Sequence, residues 1–142
     1  MLKSPRIMEN DILVDSNVFI DLLNRRRDPA IWLVEWAGKS NLATCGMVRL
    51  EVLRGIKSFR LLTRIRAFMD VMVNVPSDQR LWPAATELAW KLDRKGLVLP
   101  SADVVIAASA LRLDAAVLTS DAHFAQIEGL RVTTPPAEWF VS

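Results

Sequence analysis

The chain predicts an α/β fold, a central, mostly parallel sheet flanked by helices on both faces. Three observations predict it. Short apolar runs alternate with helical patterns along all 142 residues, as parallel strands joined by crossover helices require. The segment SADVVIAASALRL is apolar on nearly every side, so it belongs in the middle of the molecule. Finally, two of the strand-like runs, ILV and AVL, lead into Asp15 and Asp121, at the strand ends where open sheets bind ligands.

Taken in order, residues 12–14 form the first strand, which stops at Asp15. Ser16 and Asn17 are good cap residues for the helix VFIDLLN. Asp28-Pro29 then opens a second helix by the cap-then-proline rule, running to Gly38 with Trp32, Leu33 and Trp36 on its apolar surface. Residues 42–45 are the second strand. A helix from Met47 carries Glu51 toward Gly55, and another spans about 58 to 69, with Leu62, Ile65 and Met69 on one face. Residues 72–75 are strand-like and end at Pro76. A long helical pattern follows from about 78 to 95, its regular part starting near Leu81 because Pro83 fits only in a first turn. Glu87 and Lys91 are spaced to pair on it. Gly96 ends that helix, and Ser101 is placed to cap the next. Residues 116–118 and 130–133 complete the strands before Pro135-Pro136.

With 51% hydrophobic residues and no repeat, linker or low-complexity tract, residues 1–142 read as a single domain with a substantial core. The apolar tracts carry charges or end short of the ~20 residues a membrane span needs, and MLKSPRIMEN has no signal-type apolar region. A cytoplasmic protein without membrane contact is expected. Cys45 is the lone cysteine, which excludes an intrachain disulfide and suits a small core filler. The net charge of +2 is weak evidence for a nucleic-acid partner on its own.

Chemistry concentrates in four carboxylates: Asp15, Glu51, Asp103 and Asp121. Each has an ordinary reading. Asp15 and Asp121 are suited to cap turns, Asp103 lies in a first helical turn and complements the dipole, and a lone Glu51 suits a solvated helix face. Yet all four abut core segments, where an unpaired carboxylate is costly, and such spacing through the chain suggests convergence in the fold. A divalent cation is the simplest shared partner. An all-oxygen ligand set without a cysteine pair or clustered histidines suits Mg²⁺ or Mn²⁺, which supports phosphodiester cleavage.

The stretches VDSNVFIDLL, CGMVRLEVLRG and LPSADVVIAASALRLDAAVLTSD, with the HF that follows, resemble the PIN-domain ribonucleases, most closely the VapC-type toxins of toxin–antitoxin pairs. The resemblance covers residues 12–132. It implies a PIN-like fold, a metal-dependent endoribonuclease, a cognate antitoxin partner and a homodimer. It also implies metal-site roles for Asp15, Glu51, Asp103 and Asp121, with Asn17 and Thr119 orienting them. One departure stands out: where many relatives carry a further acidic residue, this chain has His123 and Phe124. A lone histidine there reads as a surface residue.

RNA-phosphate contacts are expected from Arg25, Arg26 and Arg27 and from Arg54, Lys57, Arg60 and Arg64, although a charge run is usually a solvated face. Trp32, Trp36, Trp82 and Trp90 read as core or interface anchors, and Trp139 fits either a core or a surface site. Two other functions compete. One is a phosphatase using Asp15 as nucleophile, which wants a second aspartate where Asn17 stands. The other is an RNA- or protein-binding module of the same fold without turnover.

Overall fold

The computed structural model describes residues 11–141. The N-terminal tract read above as lacking a signal-type region, and Ser142, lie outside the described residues. Five parallel strands, β1 (Asp11–Val14), β2 (Asn41–Cys45), β3 (Val73–Val75), β4 (Ala116–Leu118) and β5 (Val132–Thr133), form one sheet in the order β3-β2-β1-β4-β5. Six helices surround it: α1 (Ser16–Asn24), α2 (Pro29–Ala37), α3 (Gly46–Leu53), α4 (Phe59–Asp70), α5 (Leu81–Arg94) and α6 (Ser101–Leu113). The chain builds outward from β1 to β2 and β3, then returns to lay β4 on the other side of β1. That reversal places the switch point of the sheet between the carboxyl ends of β1 and β4.

The strands are apolar because both faces are covered. Leu13, Val14, Val117 and Leu118 are fully buried in the same core as Phe19, Leu22, Leu33, Ile65 and Ile106, each such side chain contributing about 1.5–3 kcal/mol on burial. Helix α6 is buried continuously from Val104 to Ala110, and α5 packs against it through Leu81 and Ala85. Cys45 fills the core as expected, and burial pushes its thiol pKa up.

Several boundaries differ from expectation for local reasons. Asp28 caps α2 through the Ala30 N–H at 2.9 Å, and Ser58 caps α4 through the Leu61 N–H at 3.2 Å. Ser101, by contrast, is the first helical residue of α6 and caps nothing, because extended Pro100 takes the cap position. Ser16 likewise enters α1 as a helical residue, behind Asp15. Helix α5 starts at Leu81, with Asp78 accepting the Arg80 and Leu81 N–H groups before it, and ends at Gly96, whose φ of +83° needs a residue without Cβ. Expected strand 130–133 contracts to Val132–Thr133, expected strand 72–75 to Val73–Val75, and AHFAQ winds as a 3₁₀ turn. Glu87 and Lys91 pair at 3.2 Å.

Candidate active site at the carboxyl ends of β1 and β4

Asp15 is the first residue beyond β1, and its N–H donates to the Leu118 carbonyl at 2.9 Å, which ties it to the end of β4. The residue is 3% exposed. Thr119, fully buried just past β4, donates its hydroxyl to Asp15 Oδ2 at 2.7 Å. Thr119 Oγ1 in turn accepts the Asp121 N–H at 2.9 Å and a hydrogen from Asn17 Nδ2 at 3.4 Å. A hydroxyl has one hydrogen and two lone pairs, so Thr119 is saturated and cannot rotate without losing three partners. It fixes Asp15, Asn17 and the start of the Asp121 turn together.

Glu51 comes from α3 and is held by a second hydroxyl. Ser16 donates to Glu51 Oε1 at 2.8 Å, while its oxygen also lies 3.5 Å from Asp15 Oδ1. Ser16 is the side chain at this candidate site that sequence reasoning misses. It had read as a cap, and nothing local distinguishes a hydroxyl that caps from one that reaches a carboxylate 35 positions away. Asp103 lies in the first turn of α6. Asp121 accepts the His123 backbone N–H at 2.9 Å, so it does cap its turn, and it bonds His123 Nδ1 at 2.8 Å as well. His123 remains largely exposed.

These carboxylates feel one another. Burial is the largest effect on Asp15 and pushes its pKa up to about 6, against the Thr119 hydrogen bond, with the charges of Asp103 and Glu51 adding to the rise. Asp103 is raised first by burial and then by Asp121 and Glu51. Asp15 has no cationic partner among the described residues, and Asn17 Oδ1 is a buried oxygen without a hydrogen bond. No three acidic, histidine or cysteine side chains among the described residues already stand as a ligand group around one point. The donor set is nevertheless all oxygen and negative at a buried edge, which fits a hard cation.

The basic residues differ in their partners. Arg27 is committed to the chain itself, donating to the carbonyls of Glu138 at 3.2 Å, Trp139 and Val141 at 2.8 Å while stacking on Trp32. Arg25 lies over Phe140, and Arg64 pairs with Asp28. Arg26 is exposed, with a φ of 57°. Arg54, Lys57 and Arg60 are exposed and without such partners. Trp139 is buried in a box with Trp32 at 6.0 Å and Trp36 at 6.1 Å, a core position, whereas Trp82 and Trp90 stand half-exposed on α5.

Residues 12–130 match the PIN domain family. The structure is similar to that of VapBC2 from Rickettsia felis, bound to a DNA fragment from their promoter, at 20% identity and a TM-score of 0.73 over 87% of this chain and 98% of that one. It is also similar to DNA-bound VapBC from Salmonella typhimurium, at 19% identity and a TM-score of 0.73 over 87% and 97%. A toxin–antitoxin complex from Klebsiella pneumoniae matches at 23% identity and a TM-score of 0.69 over 88% and 98%. No curated protein matches the chain.

Proposed function

We propose that this chain, which belongs to the PIN domain family, is a metal-dependent endoribonuclease and the toxin of a toxin–antitoxin pair. The observation that carries the chemistry is Asp15, a buried carboxylate with no cation of its own, facing further acidic side chains at the switch point of the sheet. Asp15, Glu51, Asp103 and Asp121 would hold Mg²⁺ or Mn²⁺, which when bound supplies water activation and stabilisation of the leaving oxygen. The chain's own part is preorganisation. Thr119 fixes the free direction of Asp15, Ser16 fixes Glu51, and Asn17 is locked through Thr119. Burial favours the proton on Asp15 until a stronger positive charge replaces it.

A cognate antitoxin is supported by the shared fold with toxin–antitoxin complexes; RNA as substrate, a homodimeric assembly and a cytoplasmic place of action belong to the same proposal and rest on the resemblance of the sequence motifs alone. Among the described residues no helix is long and apolar enough to cross a membrane. Asn17 donates to Thr119 where a phosphatase using Asp15 would want a second aspartate, which disfavours that reading. The test is cleavage of a mixed RNA pool. Wild type with Mg²⁺ or Mn²⁺ cuts, and EDTA or Asp121→Asn abolishes cutting. Undiminished cleavage in EDTA would reject the metal reading, and a wild type that binds Mn²⁺ yet never cuts RNA would favour a binding module.

A further inference from the structure

The cations of this chain divide into engaged and unengaged sets. Arg49, Arg64, Lys91, Lys95 and Arg112 each sit in an ion pair, and Arg25, Arg27 and Arg94 lie over aromatic rings. Arg54, Lys57 and Arg60 have neither kind of partner among the described residues; the same holds for Arg26, Lys39, Arg66 and Arg80, but only Arg54, Lys57 and Arg60 gather three such cations within seven residues. The sequence around them cannot neutralise them, since residues 52–69 contain no aspartate or glutamate.

Amid these charges stands an aromatic ring in water. Phe59 is 76% exposed, more than any other phenylalanine or tryptophan among the described residues. Its ring lacks an aromatic or cationic neighbour, unlike the comparably exposed Trp90, which Arg94 covers at 4.7 Å. The backbone beneath it is fixed, because Ser58 caps α4 and Thr63 donates its hydroxyl to the Phe59 carbonyl at 2.9 Å. The segment also adjoins the acidic site. Arg54 ends α3 one turn after Glu51, its N–H still donating to the Leu50 carbonyl at 3.1 Å. Cations and one bare ring on the stretch that follows the Glu51 helix match what an unpaired nucleotide strand offers, namely phosphates and an open base face. A duplex offers only the phosphates, its bases being stacked on one another.

We propose that residues 54–60 form a grip for single-stranded RNA, in which Phe59 stacks on an unpaired base while Arg54, Lys57 and Arg60 hold the adjoining phosphates. The choice of RNA rests on the endoribonuclease reading above. The grip makes Phe59 a specificity-determining residue, which reads an open base face, and leaves the phosphates to the three cations. An acidic protein surface would satisfy the three cations but leaves the ring without a matching face.

The test uses the full chain in EDTA, so that binding is read without cleavage, with a fluorescein-labelled oligoadenylate and an RNA duplex of equal length followed by anisotropy. Phe59→Ala is expected to weaken single-strand binding by about tenfold or more, with the duplex affinity and the salt slope unchanged. Phe59→Trp is expected to bind as wild type. Replacing Arg54, Lys57 and Arg60 together by Gln is expected to flatten the log–log salt slope by about two, as loss of three phosphate contacts dictates for single strands. Equal single-strand affinity in Phe59→Ala would overturn the proposal, as would equal loss on single strand and duplex, a lowered thermal midpoint accounting for the loss, or unchanged RNA binding with loss of a co-purifying protein. If the Phe59 effect holds but the metal-loaded wild type cuts no RNA, the grip stands and the nuclease reading falls.

Discussion

Asp15 and Asp78 occupy equivalent places in the fold, each shortly after a parallel strand and before the helix that follows it, yet their surroundings are opposite. Asp78 lies at the surface and accepts both guanidinium nitrogens of Arg112, at 2.6 and 2.8 Å, together with two backbone N–H groups. Those bonds hold its pKa well below the usual carboxylate range, the Arg112 hydrogen bond being the largest cause. Asp15 is buried, receives one strong hydrogen bond from Thr119, and faces other carboxylates. Among the described residues Asp78 has a cationic partner and Asp15 has none. A buried negative group without an internal counter-charge is what a site for an external cation requires, and this contrast is the ground for proposing Asp15 as a ligand and Asp78 as half of a structural ion pair.

The largest expected consequence is in turnover. Asp15→Asn is expected to lower RNA cleavage by more than about a hundredfold, whereas Asp78→Asn leaves it unchanged, as single-turnover assays on one RNA can read. Next comes stability without metal. The folded pKa of Asp15 lies above its unfolded value, so the native state holds a proton that the unfolded chain releases, and stability through this group falls as pH rises from about 4 to about 6. Urea unfolding in EDTA across that window is expected to show the fall in wild type, and Asp15→Asn should be flatter and up to about 3 kcal/mol more stable near pH 7. A steeper dependence in the variant would contradict the assignment.

The same contrast holds among cations. Arg27 is engaged and Arg60 is not, so Arg27→Ala should cost about 2 kcal/mol by freeing the carbonyls near the C-terminus, with tryptophan fluorescence reporting exposure of Trp139. Arg60→Ala should leave stability unchanged. A small effect is expected from Asp78→Asn itself. Its depressed pKa contributes stability above the unfolded value that is lost as pH falls, so the variant should be slightly weaker at neutral pH and lose less on acidification.

The parts of this molecule readable in the sequence are those governed by short-range rules. The parallel strands and six helices follow from periodicity, and Asp28, Pro29 and Gly96 mark their boundaries through capping and φ preference. Carboxylates abutting core segments point to the nearness of Asp15, Glu51, Asp103 and Asp121, and the charges of Asp103 and Glu51 acting on Asp15, with those of Asp121 and Glu51 acting on Asp103, give it physical form. What stayed hidden depends on tertiary direction. Ser16 turns to Glu51 instead of capping α1, Pro100 displaces Ser101 from its cap, and β5 shortens because only Val132 and Thr133 pair with β4. The basic runs were the least readable, since Arg27 and Arg54 look alike in sequence until their partners are known.

We propose that Asp15 is a cation site, whereas Asp78 forms an internal ion pair with Arg112. Calorimetric titration of Mn²⁺ into metal-free wild type, Asp15→Asn and Asp78→Asn at pH 7 tests it most directly. Wild type and Asp78→Asn should bind alike, and Asp15→Asn should lose at least about tenfold in affinity, the loss of one carboxylate ligand being worth about 1.4 kcal/mol or more. Equal binding by Asp15→Asn and wild type, or an equal loss in both variants, would contradict the account.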